Sequence, residues 1–286
     1  MLTDRQPSEE RLLGLSASGF HEFSVYAWPG SRTPDVPVVC THGLTRTGRD
    51  FDVLAEGLSR HVFCPDIVGR GRSEHLTAPD CYTYAQYQSD MTALIARTGA
   101  RWIDWVGTSM GGLIGMMLAA RPGTPIRRLV LNDIGPFISA DALRELAKYV
   151  GQAPNFPDFD AALAYFQRIH VGFGRLSEPE WRHIAWHALT RTEAGSYRVA
   201  YDPCIADPFQ QPDQLEDIVL WDIWQRVRCP TLILRGAESR LLTAETARIM
   251  SETGHRAELV EIPDTGHAPA LMADDQVERV RDWLNS

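Results

Sequence analysis

Apolar residues in the first half of the chain gather into short runs at 36–40, 61–64, 102–106 and 128–131. Continuous rather than alternating runs of this length are the mark of strands buried on both faces. Segments with helical period lie between them at 50–58, 83–96 and 112–120. The pattern therefore predicts an α/β fold, with a mostly parallel central sheet and helices on both faces. From 136 onward the strand-like runs disappear, and aromatic-rich helical patterns take over at 141–150, 161–171, 178–189 and 214–224. The alternation resumes with a run at 230–234, a helical stretch at 243–253, a run at 257–262 and a C-terminal helix. Residues 1–135 and 227–286 are thus expected to form one core, with 136–226 inserted between two strands as a helical lid. There is no internal repeat and no low-complexity tract.

Composition narrows the picture. With 286 residues, 44% of them hydrophobic and 23% charged, the chain is in the ordinary globular range. A formal net charge of −9 argues against an electrostatic grip on nucleic acid or on an anionic membrane, so the expected partner is a small-molecule substrate. The opening MLTDRQPSEERLL is charged where a secretory signal needs an apolar core. No later stretch approaches about 18 uninterrupted apolar residues, and a cytoplasmic location is expected. Cys40, Cys64, Cys81, Cys204 and Cys229 are scattered and never form a CxxC pair, which reads as small buried apolar residues rather than disulfides or a zinc site. His183 and His187 would share a helix face, but no HExxH surrounds them. No metal and no cofactor are expected.

The strongest chemical signal is Gly107-Thr108-Ser109-Met110-Gly111-Gly112, directly after the run at 102–106 and before a small-residue helix. This is G-x-S-x-G in the strand-turn-helix context that its chemistry demands, with glycines that let the backbone pack tightly beneath an exposed hydroxyl. Ser109 is the candidate nucleophile. A hydroxyl needs a base, and His267 has the best address, in the loop after the last strand-like run. A parallel sheet delivers both loops to one edge. In Thr41-His42-Gly43-Leu44-Thr45-Arg46 the glycine allows the N–H of Leu44 to join that of Met110 in an oxyanion hole. His42 reads as a brace for this loop, and Arg46 either touches substrate or braces the same loop.

Together the HG loop, the GTSMGG elbow, the turn Asp66-Ile67-Val68-Gly69-Arg70-Gly71-Arg72-Ser73, the lid and the terminal GHAP segment resemble the α/β-hydrolase superfamily, in its lidded group of esterases and carbon–carbon bond hydrolases. That resemblance implies a carboxylate in the loop after the run at 230–234, to orient the histidine. The position where the family's pattern places aspartate holds Arg240, which cannot accept the imidazole N–H. Two replacements follow the required chain order: Asp133, at the end of the run at 128–131, and Glu238, in the usual loop but two residues early.

The lid is expected to set specificity, with Phe137 and Trp186 among its aromatics as candidate substrate contacts. The first functional reading is hydrolysis of a carboxylic ester or related acyl bond of a small apolar substrate through an acyl-enzyme. The second is cleavage of a carbon–carbon bond in a meta-cleavage type diketone. A reading of another class is a non-catalytic binding protein on the same fold.

Overall fold

The structure is a computed structural model that describes residues 6–30 and 36–286; the first part of the charged opening, residues 1–5, lies outside the described residues. The chain begins with a hairpin, β1 (Ser8–Ser16) and β2 (Gly19–Trp28). The alternation then runs β3 (Val38–Thr41), α1 (Asp52–Leu58), β4 (Val62–Pro65), α2 (Tyr84–Arg97), β5 (Ile103–Thr108), α3 (Met110–Ala119) and β6 (Ile126–Asn132). After an intervening segment the chain closes with β12 (Thr231–Gly236), α8 (Ala244–Thr253), β13 (Ala257–Ile262) and α9 (Asp274–Asn285).

Eight strands form one sheet in the order β1-β2-β4-β3-β5-β6-β12-β13. The pairs β1/β2 and β2/β4 are antiparallel, and every other neighbouring pair is parallel. Val38–Thr41 and Thr231–Gly236 are buried at every position, as strands covered by helices on both faces must be. Two apolar layers result. One contains Trp105, Ile114, Met116 and Leu129, and the other contains Leu54, Val106, Leu232 and Val280. The hairpin escapes the apolar-run pattern because it is a half-solvated edge: Leu13 and Leu15 on β1 are 61% and 56% exposed, so leucine there does not mark a buried face.

Between β6 and β12 the chain is not purely helical. It carries α4 (Ala140–Ala147), α5 (Phe159–Ile169), α6 (Glu178–His187) and the short α7 (Trp221–Trp224), together with the two- and three-residue strands β7 (Phe137–Ile138), β8 (Asn155–Phe156), β9 (Leu189–Arg191), β10 (Tyr197–Val199) and β11 (Ile218–Val219). The helix expected at 214–224 shrinks to one turn, because Ile218 and Val219 pair with Ile138 and Phe137 and cross-strand hydrogen bonds replace the helical ones. Phe156, Ala162, Phe166, Ala185 and Tyr201 form a separate apolar cluster here. Among the described residues, no helix is long and apolar enough to cross a membrane.

Candidate active site

The turn from β5 into α3 is built by backbone crowding. Ser109 has φ 53°, a left-handed conformation that L residues adopt only when their surroundings enforce it. Its N–H donates to the Asn132 carbonyl at 3.0 Å, and its own carbonyl accepts from Gly112 N at 2.8 Å. A Cβ on Gly107 would lie 2.4 Å from the Gly111 carbonyl oxygen, and one on Gly111 would lie 2.1 Å from that of Thr41. Neither neighbour is a side chain that could move aside. Met110 opens α3, so its N–H has no acceptor within the helix.

The loop after β3 closes over the same point. A Cβ on Gly43 would be 3.7 Å from both Ser109 Cβ and Arg46 Cγ. His42 holds the loop from beneath: its Nδ1 is 2.7 Å from the Gly43 carbonyl oxygen, and its Nε2 accepts from Ile67 N at 2.9 Å. Burial, reinforced by Arg70 and Arg46, pushes this imidazole down to about 3, so it stays neutral and both nitrogens are committed. Fully buried Arg70 donates to the Leu44 carbonyl at 2.9 Å and to Tyr87 Oη at 3.0 Å. In the sequence it reads only as part of a structural turn; nothing local ties it to Leu44.

His267 Nε2 lies 2.9 Å from Ser109 Oγ, and its Nδ1 lies 2.7 Å from Asp133 Oδ2. Asp133 is fully buried at the end of β6, with φ 57°. It also accepts from Gly236 N at 2.8 Å and from Ser239 Oγ at 2.5 Å. The end of β12 and the loop after it thus contribute donors to this carboxylate. Glu238 is exposed, and its backbone N–H donates to the Thr265 carbonyl; the histidine is paired with Asp133. Asn132 adds a tie that sequence reasoning missed, from its Nδ2 to Thr108 Oγ1 at 3.0 Å and to the Pro269 carbonyl at 2.8 Å.

A profile of the Alpha/beta hydrolase family matches residues 38–282. The chain belongs to the α/β-hydrolase family. It is 41% identical over 272 residues to a 3-hydroxybutyrate-oligomer hydrolase of Cupriavidus necator, covering 92% of each chain. It superimposes on an alpha/beta hydrolase from Novosphingobium aromaticivorans with TM-score 0.87 and 33% identity, over 98% of this chain and 99% of that one. An esterase from Mycobacterium tuberculosis shares the fold at TM-score 0.74 and 22% identity, over 99% and 94% of the two chains. The chain is accordingly an enzyme, a hydrolase of this family.

Two cavities meet at Ser109 of this hydrolase. A larger one of about 340 Å³ has mostly apolar walls, among them Leu44, Met110, Leu113, Ile138, Leu143 and Phe209. A smaller one of about 50 Å³ contains His267 together with Arg46, Tyr149, His170 and Phe173. Leu44, Met110 and Arg46 are therefore brought to the serine, whereas Phe137 and Trp186 are not. Phe137 of β7 pairs with Val219 of β11, and the alternation of a strand sends its neighbour Ile138 to the cavity instead. Trp186 is 57% exposed on α6 and stacks edge-on against Phe159. Helical spacing identifies an aromatic but not the direction its helix faces once packed.

His183 and His187 also meet a carboxylate. With Asp52 they place ligand atoms within 4.8 Å of one another. Arg49 already holds Asp52 through Nε and Nη2, at 2.7 and 2.6 Å. Burial, then Arg49 and His183, push His187 down to about 3. A guanidinium in that position opposes a second cation.

Proposed function

We propose that this hydrolase cleaves a carboxylic ester through an acyl-enzyme, with Ser109 as nucleophile, His267 as general base and acid, and Asp133 as the carboxylate that orients the imidazole. The observation that carries this reading is the unbroken hydrogen-bond chain Ser109–His267–Asp133, at 2.9 and 2.7 Å, at the mouth of an apolar cavity. Ser109 Oγ attacks the ester carbonyl while His267 Nε2 takes its proton. The N–H groups of Leu44 and Met110 receive the developing oxyanion, and the start of α3 adds its positive dipole end. His267 then protonates the departing alcohol, and water, activated by the same imidazole, releases the acid. Residues 136–226 serve as the lid over this site: Gly172 and Phe173 accept hydrogen bonds from Gly266 and Ala270, at 2.9 and 3.3 Å, on either side of His267.

The substrate class we infer is a short oligoester of an aliphatic hydroxyacid. The relative at 41% identity acts, by its name, on 3-hydroxybutyrate oligomers, and the 340 Å³ apolar cavity matches a short aliphatic chain in character. The test is hydrolysis of 3-hydroxybutyrate dimer and trimer, with fluorophosphonate labelling of Ser109. Ser109→Ala is expected to abolish labelling and turnover. Asp133→Asn is expected to lower kcat by about three to four orders of magnitude, and Glu238→Gln to leave it near wild type. Collapse of Glu238→Gln in place of Asp133→Asn would overturn the acid assignment. Labelling of Ser109 without turnover of any ester would turn attention to carbon–carbon bond cleavage, and a folded protein that is never labelled would indicate a binding protein.

A further inference from the structure

The small cavity beside His267 is lined by Arg46 and His170, each with a buried nitrogen that the reaction above does not use. Arg46 is 4% exposed. Its Nε and Nη2 donate to Asp50 at 2.8 and 2.7 Å, and Nη2 also to the Ile184 carbonyl at 3.1 Å. Its Nη1 is buried and has no partner among the described residues. His170 is 5% exposed, and its Nε2 is likewise buried and unpartnered. The two groups are held together by shared aromatic walls. The Arg46 guanidinium lies 5.4 Å from the Phe166 ring centre and 5.8 Å from that of Phe173. The His170 ring stacks on the same two rings at 5.8 and 4.4 Å. Burial, with Arg46 and His267 nearby, holds His170 well below its ordinary range, so it is a neutral ring that donates from one nitrogen.

A buried guanidinium N–H without an acceptor is costly and calls for one from outside the chain; His170 adds a second donor beside it when its proton sits on Nε2. Among the described residues, no aspartate or glutamate lines this cavity. We infer that Arg46 and His170 receive the free carboxylate of the substrate's terminal unit, so that the enzyme cuts oligoesters at the bond next to their carboxyl end. The inference rests on the serine-esterase reading given above.

Direction follows from the position of His267. The alcohol that leaves must take its proton from His267 Nε2, so the leaving group occupies the cavity that contains His267. That is the small one; the residues around the 340 Å³ cavity include Ser109, Leu44 and Met110 but not His267. In a linear oligoester of a hydroxyacid, the unit that leaves as an alcohol from the last ester bond is the one that bears the free carboxylate. A volume of about 50 Å³ admits a few waters, at roughly 10–15 Å³ each, or one short carboxylate-bearing unit in their place. The longer acyl part then lies along the apolar cavity. The step balances as ordinary acyl transfer: the Ser109 Oγ–carbon bond forms, the ester carbon–oxygen bond breaks, and the serine proton ends on the departing hydroxyl. A single hydroxyacid leaves at each turnover.

The test compares two substrates that differ only at the far end of the leaving group: 3-hydroxybutyrate dimer as the free acid, and the same dimer with its carboxyl converted to the primary amide. Wild type is expected to favour the acid in kcat/KM by about tenfold or more, the usual worth of a charge-assisted bond. Arg46→Met is expected to erase that preference, and His170→Phe, which keeps the aromatic stack, to reduce it. Equal turnover of both dimers by wild type, or an undiminished preference in Arg46→Met, would overturn the proposal. Should Arg46→Met fail to fold, His170→Phe and product inhibition decide: free 3-hydroxybutyrate is expected to compete with a neutral ester where its amide does not, and the absence of that difference sinks the anchor. Failure of the serine reading has another signature, since Ser109→Ala would then still turn over both dimers.

Discussion

The carboxyl ends of the central strands and the segment between β6 and β12 contribute to the same site by different means. At the strand ends, position is enforced by backbone against backbone. Ser109 and Asp133 are held at φ 53° and 57°, and Gly107 and Gly111 sit where any side chain would strike a neighbouring carbonyl within 2.4 Å. In the inserted segment, the contribution is mainly side-chain surface: Ile138, Leu143 and Phe209 around the apolar cavity, and Tyr149, His170 and Phe173 around the polar one. Reactive atoms need placement within fractions of an ångström, which rigid packed elements supply. Selection among substrates needs walls whose residues can be exchanged without disturbing that placement.

The contrast is sharpest at Gly111. Gly111→Val places two further methyl groups beyond a Cβ that already meets the Thr41 carbonyl oxygen at 2.1 Å, and a loss of more than about 4 kcal/mol of stability is expected. Urea denaturation measures it, and a variant as stable as wild type would break the claim that backbone packing sets the elbow.

A smaller effect should come from the buried His42. Its folded-state value is depressed from 6.5 to about 3, so below pH 6.5 the unfolded chain takes up a proton that the folded chain refuses. Its contribution is fully present above 6.5 and is lost as the pH falls towards 3, the loss amounting to about 2 kcal/mol by pH 5. Denaturation midpoints between pH 7 and 4.5 should follow this slope, and the slope should flatten in His42→Asn. A slope unchanged by that substitution would place the acid sensitivity elsewhere.

The smallest effect is expected in the inserted segment. Phe209→Ala lengthens the apolar cavity and should shift the kcat/KM ratio of medium- to short-chain acyl esters upward by about threefold to tenfold. An unchanged ratio would mean that this wall does not meet the acyl chain.

Legibility followed the range of the forces involved. The runs at 102–106 and 230–234 correspond to β5 and β12, because a strand covered on both faces is apolar at most positions; the polar position in the first run, Asp104, is buried against the guanidinium groups of Arg60 and Arg127. The hairpin of β1 and β2 went unread because its outer face is wet. In the insertion, Ile218 and Val219 were drawn from an expected helix into a strand by pairing with Phe137 and Ile138. That partner is distant in sequence, and no local period reports it.

By itself, then, the sequence determined the α/β order of elements, the elbow around Ser109 and the loop addresses of His267 and Leu44, since each depends on residues within a few positions of one another. Only the tertiary structure set Asp133 rather than Glu238 beside His267, turned Ile138 rather than Phe137 towards the cavity, and set His170 beside Arg46. Those outcomes depend on the register of β6 against β12 and on the packing of the insertion over the strand ends. Both are contacts between residues far apart along the chain.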